Sequence, residues 1–592
     1  MVFYPPDWVP KLSPIPDTVP ISQFMLDDSY GRRPLAQSRN PFTCGLSGRT
    51  YTSAQMVERV DYLARGLAKE FGWQPNAGTE WDKVVGIFAL NTVDSMTLAY
   101  AVHRLNGVAT PANAAYSASE LEFQLKSSGS KALFTCIPLL DISLQAAKAV
   151  GIPNNRIYIL ELPKELSGTK PVPFKTVSQL IEAGSKNPEL EELKWEKGQG
   201  ARQTAYLCYS SGTSGLPKGV MISHKNVISN VIQIGLAEKP ARDARPENEK
   251  TEVVLGLLPL SHIYGLVVIA QASTYRGDGV IILPKFELQS FLKAIQIHKI
   301  RTLYLVPPII IQLAKDQQAV SKFDLSSVRG IFTGAAPLGA ETAEDLQKNP
   351  GLTETCTVVC STSENDICFG TSGSLISGVR AKLISSEGTE ITGYNQPGEL
   401  VVQSPAVVLG YLNNDKANKE TFLDDTDGFG KWMRTGDEAV IRTSPAGNEH
   451  VVIVDRIKEL IKVKVSPLFA VWKTFADMTI QGLQVAPAEL EAHLLTHPSV
   501  ADCAVIPVPD DAAGEVPKAF IVKSSSVGLE DNDRLVAREI AKHVSEHKTR
   551  HKWLKGGVEF IDVIPKSPSG KILRRLLRDK EKEARRAKGA KL

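Results

Sequence analysis

The chain has 592 residues, with 68 Lys+Arg against 65 Asp+Glu and a net charge of +3, so there is no broad basic footprint for nucleic acid or an anionic membrane. Hydrophobic content of 43% and charged content of 22% belong to a globular chain, not a disordered or fibrous one. At roughly 100–200 residues per domain, the length implies about three or four lobes, each able to bury its own core.

No apolar run reaches the ~18 residues of a membrane span, and the richest, Leu303–Leu313, is broken by Pro307 and Pro308. The N-terminus, MVFYPPDWVPKL, carries prolines and an acid where a signal peptide would be apolar. The seven cysteines form no CxxC pair, and Cys356 and Cys360 have no second ligand pair downstream, which argues against a disulfide framework or a metal knuckle. The expectation is a soluble protein of a reducing, intracellular compartment.

In chain order, Thr52–Glu70 carries a helical pattern, Val84–Ala89 a short apolar strand, Val93–Leu105 a helix and Ala132–Thr135 a strand. The polar stretch Lys186–Gly200 reads as a surface linker. Strand-like segments return at Val253–Leu258, Gly279–Leu283 and Arg301–Val306, and this alternation with helices predicts parallel α/β sheets. From Gly378 to Val408 the strands shorten between Gly/Pro turns, as in an antiparallel β subdomain. Beyond Asp455 a smaller α+β unit follows: Pro487–Leu495 helical, Val500–Val508 and Ala519–Val522 strands, Asp533–His547 helical.

The segment most informative about chemistry runs from Tyr209 to Val220 (YSSGTSGLPKGV) behind an apolar strand. Glycines and small hydroxyl residues leave backbone N–H groups free to wrap phosphate oxygens, and one lysine adds a point charge. A Walker loop needs Ser or Thr directly after the lysine; here Gly219 follows Lys218, so the segment reads as a phosphate cradle of another kind. Gly370–Gly378 looks similar but lacks a lysine and reads as a plain turn.

With this loop, the chain resembles the adenylate-forming superfamily, which includes acyl-CoA synthetases, 4-coumarate–CoA ligases, beetle luciferases and the adenylation domains of peptide synthetases. Several ordered motifs carry the resemblance over most of the chain. It implies that Ser210, Ser211, Gly212, Thr213, Ser214, Gly215 and Lys218 hold the β- and γ-phosphates of ATP. The segment Pro259–Gly265 matches one lining the acyl pocket, with His262 in it, and Thr333–Leu338 matches a turn along adenine, with Gly334, Ala335 and Ala336. In Gly351-Leu352-Thr353-Glu354, Thr353 would touch the α-phosphate and Glu354 would help hold Mg²⁺. Asp437 and Arg456 would bind ribose, and Asp455 and Lys458 would form the hinge between domains. Lys462, Gly482 and Gln484 would complete the nucleotide and coenzyme A contacts. Lys571, in Pro565–Ile572, would be the lysine that stabilises charge at the α-phosphate.

The fold class implied is α/β: a large N-terminal domain of two α/β sheet lobes plus an antiparallel β subdomain, residues 1–455, then a small mobile α+β C-terminal domain, residues 456–592. The activity implied is ATP-dependent ligation of a carboxylic acid, aryl or medium-chain/fatty, to coenzyme A through an acyl-adenylate. A carrier-domain serine motif is not found after the small domain, which favours free coenzyme A. The alternatives are a luciferase- or oxidase-like user of the adenylate and a catalytically impaired nucleotide-binding homologue. Ala590, Lys591 and Leu592 resemble the peroxisomal address of the SKL type, which adds an import receptor as an expected partner.

Two departures from the family pattern stand out. Pro350 occupies the position of an adenine-stacking aromatic, and the stretch Ala340–Pro350 is about nine residues short, enough to remove a typical strand of ~5–6 residues from what should be a central position. Val465–Gln481 adds 17 apolar residues where the family runs straight on. This insert reads as a retained intron: Val-Ser can be encoded by the donor GTGAGT, Ala-Asp by a branch point and Gln by the acceptor CAG, and 17 codons preserve the frame. The alternative is a lineage-specific loop. Sequencing the mature transcript is expected to show these 51 nucleotides spliced out; a mature mRNA that keeps them refutes the intron.

Overall fold

The computed structural model describes residues 1–168, 172–210, 217–333, 347–348, 351–425, 428–463, 483–510, 513–524, 532–566 and 571–589. The insert Val465–Gln481 lies outside them. Among the described residues, no helix is long and apolar enough to cross a membrane.

Two sheets form the body of the large domain. One runs in the order Gly410–Tyr411, Lys218–Ser223, Thr204–Ser210, Val108–Pro111, Val84–Phe88, Ala132–Thr135, Ile157–Ile159. It is parallel from Thr204–Ser210 to Ile157–Ile159 and antiparallel where the Thr204–Ser210 and Lys218–Ser223 strands form a hairpin. The second runs Phe42–Cys44, Gly279–Ile282, Val253–Gly256, Thr302–Leu305, Gly330–Thr333, Gln347–Lys348 and is parallel throughout. Most of these strands are apolar on both faces, as parallel strands covered by helices must be. The helices begin where Ser or Thr can cap: Thr52 with Gln55, Ser117 with Glu120, Thr176 with Gln179 and Ser223 with Asn226 each close a reciprocal capping box.

One hydrophobic core joins both sheets to the third, through residues such as Tyr206, Val231, Val267, Ile282, Leu383 and Met433. At its centre lies Tyr264–Ala272, buried along its whole length and wound as a π-helix. Gly265 is required there, because a Cβ would stand 2.3 Å from the Pro259 carbonyl oxygen. The third sheet is the antiparallel subdomain: Glu390–Ile391, Arg380–Ile384, Gly398–Gln403, Trp432–Thr443 and Phe422–Leu423, with Glu449–Arg456 also on Trp432–Thr443.

The small domain has a sheet of Leu483–Val485, Ile461–Val463, Gly514–Lys523 and Val500–Asp510, plus Val558–Phe560 in parallel on Gly514–Lys523. Its core is separate and is covered by the helices Pro487–Leu494 and Asp533–His547. Sheet membership changes between Arg456 and Ile461.

One sequence expectation needs correction and another needs detail. Among the described residues, Gln347–Lys348 pairs with Phe332–Thr333 alone and stands at the edge of its sheet rather than at a central position. The Lys186–Gly200 stretch lies at the surface, mostly exposed, and is strapped down by hydrogen bonds. Arg104 donates to the Leu190 and Glu191 carbonyls, Asn76 to the Glu192 carbonyl, and Trp195 Nε1 to Asn106 at 3.1 Å. Its end, Gln199–Arg202, forms a short helix.

Candidate active site

The expected phosphate loop is the connection of an antiparallel hairpin. Ser210 ends one strand and pairs across to Lys218, which begins the next. Gly219 faces Tyr209, where a Cβ would crowd the phenol ring at 3.1 Å. Ser211, Gly212, Thr213, Ser214 and Gly215 lie outside the described residues.

Glu354 sits in the single 3-10 turn Thr353–Thr355 and faces this hairpin. Its Oε1 accepts from the Tyr411 hydroxyl at 2.9 Å and from Ser210 Oγ at 3.4 Å, while Lys218 Nζ lies 4.7 Å from the Tyr411 ring centre. One carboxylate, one ammonium and two hydroxyls thus converge at the mouth of the loop, with Thr353 beside them in sequence. Tyr411 is a site residue that sequence reasoning missed. It belongs to a two-residue strand, Gly410–Tyr411, added to the edge of the hairpin opposite Val220 and Met221. Gly334, Ala335 and Ala336 lie outside the described residues, but the hydroxyl of Thr333 just before them is buried and has no hydrogen-bond partner among the described residues.

Asp437 and Arg456 are register partners on neighbouring strands, and Arg456 Nε lies 2.6 Å from Asp437 Oδ1. Gly436, at φ 70°, makes the left-handed turn that sets Asp437 into the site. Burial pushes the Asp437 carboxyl up to about 6, against the pull of the Arg456 guanidinium and the Lys571 ammonium. Lys571 comes from the small domain. Its ammonium is held below its usual value, first by burial and then by Arg456, while Glu459 and Asp437 counter both. Lys571 also lies close enough to His262 to depress it: burial first and that charge second push the imidazole down to about 4. His262 is therefore neutral near pH 7, with Nδ1 accepting the Tyr264 N–H at 3.3 Å. An apolar recess adjoins this segment, lined by Ile87, Met96, Tyr206, Leu260, Ser261 and Leu266.

The junction between domains is polar. Asp455 Oδ1 accepts the Arg456 N–H at 2.7 Å, and Oδ2 accepts the N–H of Ala488, in the first turn of the small-domain helix Pro487–Leu494. Arg574 donates to Glu459 in the connecting turn and to Glu491 on that helix, all three buried. Lys458 is exposed on the turn. Lys462 and Gln484 face one another in register on the hairpin at the edge of the small sheet, both exposed. Gly482 lies outside the described residues. The structure thus brings Ser210, Lys218, Glu354, Asp437, Arg456, His262 and Lys571 to one site through shared contacts and mutual electrostatic influence. Lys458, Lys462 and Gln484 stand on solvent-facing positions of the junction and small domain.

Residues 34–412 match the AMP-binding enzyme family, and residues 489–571 match the C-terminal domain of AMP-binding enzymes. The chain belongs to this adenylate-forming family. It is 40% identical to the acyl-CoA ligase easD of Emericella nidulans over 98% of this chain and 100% of that protein. It is 38% identical to the acyl-CoA ligase cm3C of Cordyceps militaris over 98% of this chain and 90% of that one. Among solved structures, the anthranilate CoA ligase AuaEII in complex with anthranoyl-AMP superposes with a TM-score of 0.75 at 22% identity, covering 95% of this chain and 98% of the other. That likeness establishes the two-domain fold of the family.

The charge state of the site predicts a pH profile. A raised carboxyl takes up its proton early as pH falls, so kcat/KM for ATP should decline on the acid side with a midpoint near pH 6, above the ordinary Asp value of 3.8. On the alkaline side the rate should fall below the ordinary lysine value of 10.5, as Lys571 loses its charge. Asp437→Asn should abolish the acid limb. A wild-type profile that stays flat down to pH 5 would rule out an ionised Asp437 as a working part of the site.

Proposed function

We propose that this adenylate-forming enzyme is an ATP-dependent acid–CoA ligase acting on aryl or medium-chain to fatty acids. The single observation that carries the reading is the delivery of Lys571 by the small domain into the charge cluster of Asp437, Arg456 and His262. In the first half-reaction a carboxylate oxygen attacks the α-phosphorus of ATP, and the bond to pyrophosphate breaks. Asp437 accepts hydrogen bonds from ribose, and Arg456 holds that carboxylate in place. Lys571 stabilises the charge that develops at the α-phosphate, from a site already shielded from water. Neutral His262 lines the acyl side without adding charge there. In the second half-reaction the coenzyme A sulfur attacks the acyl carbon, and AMP departs.

The donor set fits a magnesium ion. Glu354 offers a carboxylate oxygen, with the Ser210 hydroxyl at hand, and hard oxygen ligands suit Mg²⁺. Bound there with ATP, the ion would neutralise phosphate oxygens. The acyl recess near His262 is lined mainly by apolar side chains, which favours the apolar body of an aryl or aliphatic acid over a second charge. The relatives carry the name acyl-CoA ligase, and that supports coenzyme A as the thiol.

A panel of aryl and fatty acids, assayed for pyrophosphate and thioester, tests the reading. Pyrophosphate with thioester supports the ligase; pyrophosphate alone points to a luciferase- or oxidase-like enzyme; neither, from a folded chain, indicates a binding homologue. Lys571→Ala should lower pyrophosphate release about 10²–10³-fold yet leave thioester formation from supplied acyl-adenylate intact. Unchanged pyrophosphate release removes Lys571 from adenylation.

The sequence Ala590-Lys591-Leu592 supports import into peroxisomes by a receptor for such addresses. A fluorescent fusion ending in these residues should colocalise with a peroxisomal marker, and deleting the three should return it to the cytosol. Unaltered distribution after deletion would refute the address.

A further inference from the structure

Half of the chain's ten histidines fall between residues 493 and 551, away from the chemistry described above. Two pairs have the spacing His-x₃-His: His493 with His497, and His543 with His547. Four residues along a helix return a side chain to the same face. His543 and His547 lie in the helix Asp533–His547, and His493 lies in the neighbouring Pro487–Leu494. Where these helices pack, His493, His543 and His547 each bring a ring nitrogen to within 4.8 Å of the others. His493 and His543 are partly buried, and His547 is exposed, so the group is open to solvent on one side.

The hydrogen bonds around the three rings fix their tautomers. The His543 carbonyl lies 3.3 Å from His493 Nε2 and 2.9 Å from His547 Nδ1, and since a carbonyl only accepts, both nitrogens carry a proton. The Thr496 hydroxyl donates to the His493 carbonyl at 2.7 Å, so it accepts from His543 Nε2 at 3.1 Å. In the deprotonated form that binds a metal, each imidazole has one N–H engaged by an oxygen and a lone pair on its second nitrogen. Metal-binding histidines are oriented in this way, with the far N–H tied to a carbonyl or hydroxyl.

We propose that His493, His543 and His547 form a site for a borderline divalent transition-metal ion, with Zn²⁺ as its representative, on the surface of the small domain. The donors are all imidazole nitrogens, which favours Zn²⁺, Ni²⁺ or Cu²⁺ over Mg²⁺ or Ca²⁺. A neighbouring acid, Glu489, is committed to Lys548 and Lys552. Zn–N bonds of ~2.0–2.1 Å in a tetrahedral site bring donors to about 3.4 Å apart. The rings of His493 and His543 now stack at 4.2 Å with 4° between planes, so one of them turns when the ion binds. Water takes the fourth position.

The ion ties together two helices, one of which carries the domain junction: the Ala488 N–H donates to Asp455, and Glu491 holds Arg574, three residues from Lys571. Its effect is read as stability of the small domain.

The test uses the full chain without an affinity tag, stripped with chelator and titrated with Zn²⁺ or Co²⁺ alone. The expected result is one equivalent bound, a visible Co²⁺ band of tetrahedral intensity, and a rise in melting temperature on adding Zn²⁺. His547→Gln, at an exposed position, and His543→Gln should each weaken binding at least tenfold. Their melting temperatures in chelator should match the wild type, and His497→Gln should bind as the wild type does. Absence of binding by the wild type, or equal affinity and an unchanged Co²⁺ band in His547→Gln, overturns the site.

Discussion

The ion pair of Asp437 and Arg456 is the constraint on which the rest of the site depends. Taking a carboxylate out of water costs several kcal/mol even after the protein relaxes, and Asp455 and Glu354 nearby make that cost larger. A guanidinium at 2.6 Å offsets much of it but not all, because burial still leaves the Asp437 carboxyl raised to about 6. The remaining deficit makes the pocket receptive to further positive charge, and Lys571 supplies it. Strand register delivers the pair: once Trp432–Thr443 and Glu449–Arg456 align, Asp437 and Arg456 face one another with no loop to order.

The Glu449–Arg456 strand runs directly into the domain junction, so the site and the junction share a backbone. Asp455 is adjacent to Arg456 and caps the first turn of a small-domain helix, where a negative charge also favours the helix dipole. Arg574 binds one acid of the connecting turn and one of that helix. These contacts are charged and hydrogen-bonded, and each domain keeps its own apolar core. A junction built this way can part without exposing much apolar surface, as interfaces between moving domains require.

Much of this was legible in the sequence, for physical reasons that differ by residue. Strands with several consecutive apolar residues and helices opened by Ser or Thr followed by Gln, Glu or Asn declare themselves locally, as at Val84–Phe88 and Thr52–Gln55. The motif residues Asp437, Arg456 and Lys571 were found through resemblance, and the structure brings them together. Tyr411 escaped because a two-residue strand has no periodicity to detect, and its hydroxyl matters only through Glu354, far away in the chain. The surface course of Lys186–Gly200 was legible from its polarity, but its hydrogen bonds to Arg104, Asn76 and Asn106 were not, since these partners lie far off in the chain. The edge position of Gln347–Lys348 is a matter of strand order, which spacing alone does not reveal.

Strand order also explains how the fold accommodates its two departures. Among the described residues the shortening falls beside an edge strand, and the insert falls within a hairpin connection, since Ile461–Val463 pairs with Leu483–Val485 in the register Ile461↔Val485, Lys462↔Gln484, Val463↔Leu483. Loop closure grows only with the logarithm of length, so stretching this connection from two residues to nineteen costs about 2 kcal/mol. Removing Val465–Gln481 leaves Lys464 and Gly482 between two directly paired residues. Two residues is the commonest length for a tight hairpin, and glycine in second place meets one of the two positive φ angles of a type I′ turn. The flanking strands are therefore already set for the short connection. The insert's burden falls on that hairpin, beside the exposed Lys462 and Gln484, while the frame of Asp455, Arg574 and Lys571 is held by contacts outside it.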